Sequence, residues 1–495
     1  MTEETDWVGG QLTQQAVPPD ENAWIESIGG TRSYLALRQA IRDHYRQHTP
    51  LTARARANPR FNPGNGWVSR LCCEPRVALA VLEAQLAPYV ASGALQLLLR
   101  HRAVAADVTD DRVRAIAVRH VDTGDQRVLH APYFADATEL GALLPLTGTE
   151  YRVGAESQAM TGEPHAKSAY EPDNVQSFTM CFAMDYRPGE DHVIDRPDGY
   201  AAWRAQQQRA DNGQAYPLLS FDDPASRRIG FDPVARTGFW SYRRILDRDQ
   251  FAPGTLASDV TVVNWGQNDY SAGSLIDVPD DVAAQHVRRA KDLSLSLLYW
   301  MQTEAPRTDG VIGWKGLRLR PDIVGTADGV AMHPYVRESR RIVAELTVLE
   351  QHVTVEGRQQ ETGQAREALT AMSYDDSVGI GHYSMDLHLT TRGDRGQYGA
   401  TLPFQIPLGA LLPRRIENLL PAAKNLGVTH LTNGCYRLHP IEWNVGESVG
   451  TLVACALAWG ESPRGIRGRG VLRQGLQAEL TRDGVPLAWP TPLPG

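Results

Sequence analysis

Arg437, His439, Glu442 and Asn444 stand close together near the C-terminal end, and their types suit redox or proton chemistry. Oxidising a C–H bond on an alcohol or amine needs a base near the transferred hydrogen. Of the nearby groups, His439 is the first choice, His382 the second and Glu442 the third. Arg437 can assist where negative charge develops. Pro440, with Glu442 in the first turn, signals a helix that opens at Pro440 or Ile441 and runs to about Trp459. Its free N–H groups and dipole favour partial negative charge on a ligand. Gly446, Gly450 and Ala454 recur every four residues along it. They leave a stripe with almost no side chain, where a backbone or a flat ligand can approach. Just upstream, Asn418 to Gly427 is predicted to be a short buried strand ending in a polar turn with Lys424 and Asn425.

Other chemistry-bearing residues are scattered. Gly381 to Leu389 alternates, which predicts a strand with His382, Ser384, Asp386 and His388 on one face. At about 3.3 Å per residue, His382 and His388 lie roughly 20 Å apart, and only Asp386 and His388, about 6.6 Å apart, can share an ion. That is a weak metal site, and none is expected. Arg340, in the run Arg337 to Arg341, is a candidate for holding a substrate carboxylate. The cysteines (Cys72, Cys73, Cys181, Cys435, Cys455) form no C-x-x-C pair and are odd in number, which suits a reducing compartment. Cys72-Cys73 is expected to pack rather than react.

The 495 residues call for two or three domains. Hydrophobic content of 42% with 22% charged is ordinary for a globular protein. A formal charge of −8 argues against nucleic acid or an anionic membrane as the main partner. No apolar run has the roughly 20 residues of a membrane span, and no signal peptide opens the chain. A cytoplasmic protein with a small-molecule substrate is expected, its oligomeric state open. The pattern predicts helices from within 24–48, over 75–86 and around 287–301. Strands are expected at 95–99 and 103–108, a hairpin at 113–133, and a short tail helix at 472–480.

Three segments then carry a resemblance. Arg437, Pro440, Gly446 and Gly450 after Asn418-Leu-Leu resemble the C-terminal flavin-binding segment of the FAD-dependent oxidoreductase family in the glutathione-reductase-like superfamily. Glu3, Gly9 and Gly10 match that family's E-x5-G-G, in which the glutamate takes the adenosine ribose hydroxyls. Asp136, Ala137 and Thr138 resemble its second flavin motif. The chain departs from the pattern at Ala423-Lys424 and at Glu139-Leu140, where relatives have Gly-Arg or Gly-Asp and Gly-Asp.

The resemblance implies an α/β three-layer FAD/NAD(P)-binding fold with a central parallel sheet, built discontinuously, and a mixed α/β cap. The FAD-binding pieces are expected at 1–150 and 403–460, the cap at 151–402 and a packing tail at 461–495. It implies hydride transfer from a small organic substrate to flavin, with Glu3, Gly9, Gly10, Asp136, Ala137, Thr138, Asn425, Arg437, Asn444 and Gly446 holding FAD. No G-x-G-x-x-G turn occurs. The expectation is that the true start lies upstream of Met1; the rival is a chain that has lost its pyrophosphate site. Alternatives to the flavoenzyme are a non-catalytic or FAD-deficient remnant, and a lyase on acidic sugars using His382-Tyr383.

Overall fold

The computed structural model describes residues 1–209, 213–222 and 229–493. Helix α1 (Arg32–His48) starts where the Thr31 hydroxyl accepts the Tyr34 N–H, and it buries Tyr34, Leu37, Ile41 and Tyr45 on one face. Helix α2 (Pro75–Ala91) opens on a proline. It runs past the expected end at Leu86, and beyond Val81 it is largely exposed rather than buried, Tyr89 and Val90 included. Strands β1 (His101–Thr109), β2 (Arg112–His120) and β3 (Gln126–His130) form an antiparallel meander. Residues 95–99, expected to be a strand, pair only through a parallel bridge from Leu98 to Thr2. Strand β4 (Phe134–Asp136) follows.

The middle of the chain is built on a four-stranded antiparallel sheet of β5 (Phe182–Tyr186), β6 (Arg244–Leu246), β7 (Val260–Val263) and, after helix α3 (Asp280–Thr303), β8 (Leu317–Leu319). The face of α3 carrying Leu293, Leu297, Leu298 and Met301 packs into an aromatic-rich core with Trp240, Trp265 and Trp300. A second core joins Tyr34, Ile41 and Tyr45 of α1 to Ala183 of β5 and Val260 and Val262 of β7.

The stretch expected to be one alternating strand is two: β9 (Ser377–Gly381) and β10 (Met385–Leu387). They have different partners, β11 (Phe404–Pro407) for the first and Gln397–Gly399 for the second, so the chain breaks at His382 to change sheets. Strand β12 (Leu419–Pro421) then lies parallel to β4, with Leu419 opposite Phe134 and Pro421 opposite Asp136. This pair is as much of the expected central parallel sheet as the described residues contain; their other named strands pair antiparallel. Parallel strands need a crossover connection, and parallel sheets are normally covered on both faces. Among the described residues β4 is bonded to β12 alone, and Ala135 is exposed.

Helices α4 (His430–Tyr436) and α5 (His439–Trp459) complete the arrangement, with Pro440 in the first turn of α5 as anticipated. Ile441, Val445, Val449 and Leu452 of α5 bury into a third core with Phe404 and Tyr436. The tail helix α6 (Gly470–Arg482) adds Leu476 and Leu480 to it. The molecule is thus mixed α/β, with small sheets of at most four strands among the described residues. No helix among them is long and apolar enough to cross a membrane.

Candidate functional site

The parallel β4–β12 pair brings two distant turns together. The Ala422 N–H donates to the Asp136 carbonyl at 2.8 Å, and Asn425 Nδ2 donates to the same oxygen at 2.9 Å. The Asp136 carboxylate accepts from the Thr138 N–H and hydroxyl at 3.0 and 2.7 Å and from the Leu143 N–H at 3.1 Å. It is fully buried, so it closes the turn that carries exposed Ala137. Asn444 is equally occupied: Nδ2 donates to Val378 O at 3.2 Å, and Oδ1 accepts the Ile380 N–H at 3.2 Å. These residues shape the rim. The stripe beside them is open, since a Cβ on Gly446 would meet only the Ala422 carbonyl at 3.5 Å and one on Gly450 would meet nothing within 4 Å.

The N-terminal turn closes the other side. Gly9 has φ 113° and a Cβ there would sit 2.7 Å from Leu82 Cδ1, so glycine is required. The turn aims Gln11 at the start of α5, where Nε2 donates to Glu442 Oε1 at 2.8 Å and to the Arg437 carbonyl at 3.1 Å. Glu3 accepts the Thr5 N–H at 2.8 Å through Oε1, and burial raises its pKa.

Between these walls the two departures from the family pattern meet: Lys424 Nζ is ion-paired with Glu139. The same ammonium lies 3.9 Å from Glu442 Oε1. Burial works to raise both carboxyls. For Glu139, Lys424 in contact overcomes burial and holds the carboxyl below its usual range. For Glu442, burial and the Glu139 charge outweigh the more distant ammonium and push it up to about 7.

Arg437, on the loop entering α5, is buried and donates to the Tyr335 hydroxyl at 2.8 Å and to Asp386 Oδ2 at 3.3 Å. Asp386 lies 3.4 Å from His388 Nε2, and His388 Nδ1 lies 2.5 Å from Asp269, which Arg337 approaches to 2.9 Å. Burial and Arg337 oppose a charge on His388, but the two aspartates prevail and raise its pKa. Glu139, Glu442, His388 and Asp386 keep 16, 16, 26 and 28% of their side-chain surface accessible. All four are thus partly accessible rather than sealed in a packed core, and they border the recess between these walls.

His439, the first-choice base, is the first residue of α5 and is buried. The Asp20 N–H donates to its Nδ1 at 3.3 Å, so the ring proton sits on Nε2, which is buried without a partner. Burial pushes its pKa down to about 4. It is a neutral donor. His382 is elsewhere, its ring edge-on to Trp24 at 5.1 Å. Arg340 has its guanidinium taken by Asp277 at 2.9 Å and by the Leu140 carbonyl at 2.9 Å. Residues the sequence did not flag stand near the start of α5: Arg243, 3.3 Å from Asp20 and stacked over Tyr242 at 5.0 Å, and Tyr335, whose hydroxyl accepts from Arg437. No spacing could have revealed them, because they come from segments far apart in the chain. No cluster of three or more His, Cys, Asp or Glu suits a metal among the described residues. The cysteines are buried, and burial pushes the Cys72 thiol up to about 12.

A family model described as FAD dependent oxidoreductase matches residues 1–480. The chain belongs to that family. FAD is its cofactor, and the recess fits such a group. Gln11 Oε1, His439 Nε2, Arg437 Nε and Arg243 Nε are all buried without hydrogen-bond partners around the start of α5. Buried polar atoms are rarely left unpaired without a ligand or water to meet them. The Cβ-free stripe supplies room for a flat ring. Neither the search of curated proteins nor that of solved structures gave a match.

Proposed function

We propose that this FAD-dependent oxidoreductase transfers a hydride from a small organic substrate to the flavin, with the flavin ring seated at the start of α5. The reading rests on one observation, the unpartnered polar atoms gathered around a helix start that also carries Glu442. Bound FAD supplies the hydride acceptor. The chain's residues do the rest. The first turn of α5 and Arg437 favour negative charge at their end of the recess. Glu442 Oε1, poised near neutrality, takes the proton the substrate releases. Glu139 holds Lys424 in place beside it. His439 donates from Nε2 to orient a bound oxygen, and Arg243 with Arg437 offers cationic surface to an acidic or hydroxylated substrate. Glu3, with Gly9 and Gly10, receives the adenosine side, and the cofactor lies against the parallel β4–β12 pair.

The lyase alternative needs His382 and Tyr383 at one substrate. His382 instead lies against Trp24, which counts against it. The test is to add FAD to the purified chain, remove the excess and record the visible spectrum. A retained, protein-shifted flavin band is expected; a colourless protein overturns the proposal. Alcohols, amines and hydroxy acids are then screened for bleaching of that band.

A further inference from the structure

On the far side of the Asp386–His388 pair from Arg437 lies a second cavity, of about 200 Å³, that the flavin chemistry does not use. Its wall is formed by residues 155–167, by the segment 387–395 after β10, and by the first residues of α4. Cations dominate it: His165, Lys167, His388, Arg395 and His430. The carboxylates that favour the charged form of the three imidazoles stand behind the wall and not on it. Glu350 lies 2.5 Å from His165, Asp269 2.5 Å from His388, and Glu338 3.0 Å from His430. These pairings raise all three histidine pKa values; for His388 and His430 they do so against burial. Of the acids on the wall, Asp394 is paired with Lys167 at 2.5 Å and Glu156 with Arg341 at 2.8 Å.

The third acid, Glu163, gives the independent sign of a ligand. It is 1% exposed. Its Oε1 accepts the Glu350 N–H at 2.8 Å and the Thr429 hydroxyl at 2.6 Å, while Oε2 has no partner. Burial pushes it up to about 7, so below neutrality Oε2 carries a proton to donate. A small pocket bordered by cationic side chains, with a carboxyl able to donate as well, is complementary to oxygen atoms bearing negative charge.

We propose that the cavity bounded by His165, Lys167, His388 and His430, with Glu163 Oε2 unpartnered in its wall, binds a small oxyanion, a carboxylate or a phosphate. Its size admits a few heavy atoms, well short of a nucleotide. Because His388 also touches Asp386, the partner of Arg437, an occupied cavity adjoins the flavin recess without being part of it. The inference stands on this cavity alone and does not depend on where the flavin sits.

The experiment is isothermal titration of the full chain with sodium phosphate and, separately, with sodium succinate, with sodium chloride holding the ionic strength. Saturable binding of one of them at one site is expected, weakened at least tenfold in Lys167→Met and in His430→Gln. Tighter phosphate assigns a phosphorylated or free phosphate ligand; tighter succinate assigns a carboxylic acid. No saturable heat from either anion overturns the proposal, as does undiminished binding in Lys167→Met. That lysine is 35% exposed, so its replacement leaves the fold intact even if His430→Gln does not.

Discussion

In the recess one ammonium, Lys424, faces two carboxylates, Glu139 and Glu442, whereas around the second cavity cations and acids interleave: His388 lies between Asp269 and Asp386, Glu338 serves both His430 and Arg341, and His165 and Lys167 face Glu350 and Asp394. The difference is one of contact between opposite charges. Where an acid has a cation in contact, the charged forms of both are favoured and the surface presents donors, which suits binding. Where one cation serves two acids in a low-dielectric site, the acid farther from it cannot ionise cheaply, so its proton becomes labile near neutral pH. That suits proton transfer. Burial is common to Glu139 and Glu442, so it is contact with a cation that separates them; Glu163, which has no ion pair among the described residues, is likewise pushed up to about 7 at the second cavity.

The strongest way to break this contrast is Lys424→Met. It strands two buried carboxylates and is expected to destabilise the chain by about 3–5 kcal/mol, measured by chemical denaturation. Lys424→Met with Glu139→Leu should restore most of that, because the partner charge leaves as well; no recovery would mean that the two do not act as a pair. Glu442→Gln comes next. In the wild type kcat/KM is expected to rise with pH through about 7 as Glu442 ionises. The variant should lose roughly 10²–10⁴-fold and show no such rise. Stability follows the opposite sign. A carboxyl whose folded pKa is raised opposes folding once ionised, so wild-type stability should fall as pH climbs from the unfolded value toward about 7. Denaturation midpoints of Glu442→Gln should lack that component.

His439→Gln sharpens the assignment within the recess. As a neutral donor replaced by another, it should cost less than about tenfold in kcat/KM and leave the pH profile in place. A lost profile would make His439 the base. The smallest effect is expected from Arg340→Ala. It removes an ion pair to Asp277, itself 45% exposed, for about 1 kcal/mol or less and no change in KM. A raised KM for a carboxylate substrate would return Arg340 to the site.

Much of the framework was legible because its signals are local. Pro440 and the glycine stripe announced α5, Pro75 announced α2, and the apolar run after Asn418 announced β12. The motif residues Asp136, Asn425 and Asn444 were legible as belonging to the rim. Their side chains, however, are engaged with the chain itself, because turns and strand ends must satisfy their own buried polar groups first. The break between β9 and β10 was not legible: alternation records which residues suit a pleat and not which partner strand each half will find.

From the amino-acid sequence alone follow the family, the cofactor, the position of helix α5 and the two departures, Glu139 and Lys424. Only the tertiary structure decided that those departures face each other, that Arg243 meets Asp20, and that burial lowers the pKa of His439 while raising that of Glu442. The reason is physical. Helix starts and strands are dictated by neighbours a few residues away, but a proton's affinity depends on burial and on charges a few ångströms off. Those charges come from residues hundreds of positions apart in the chain.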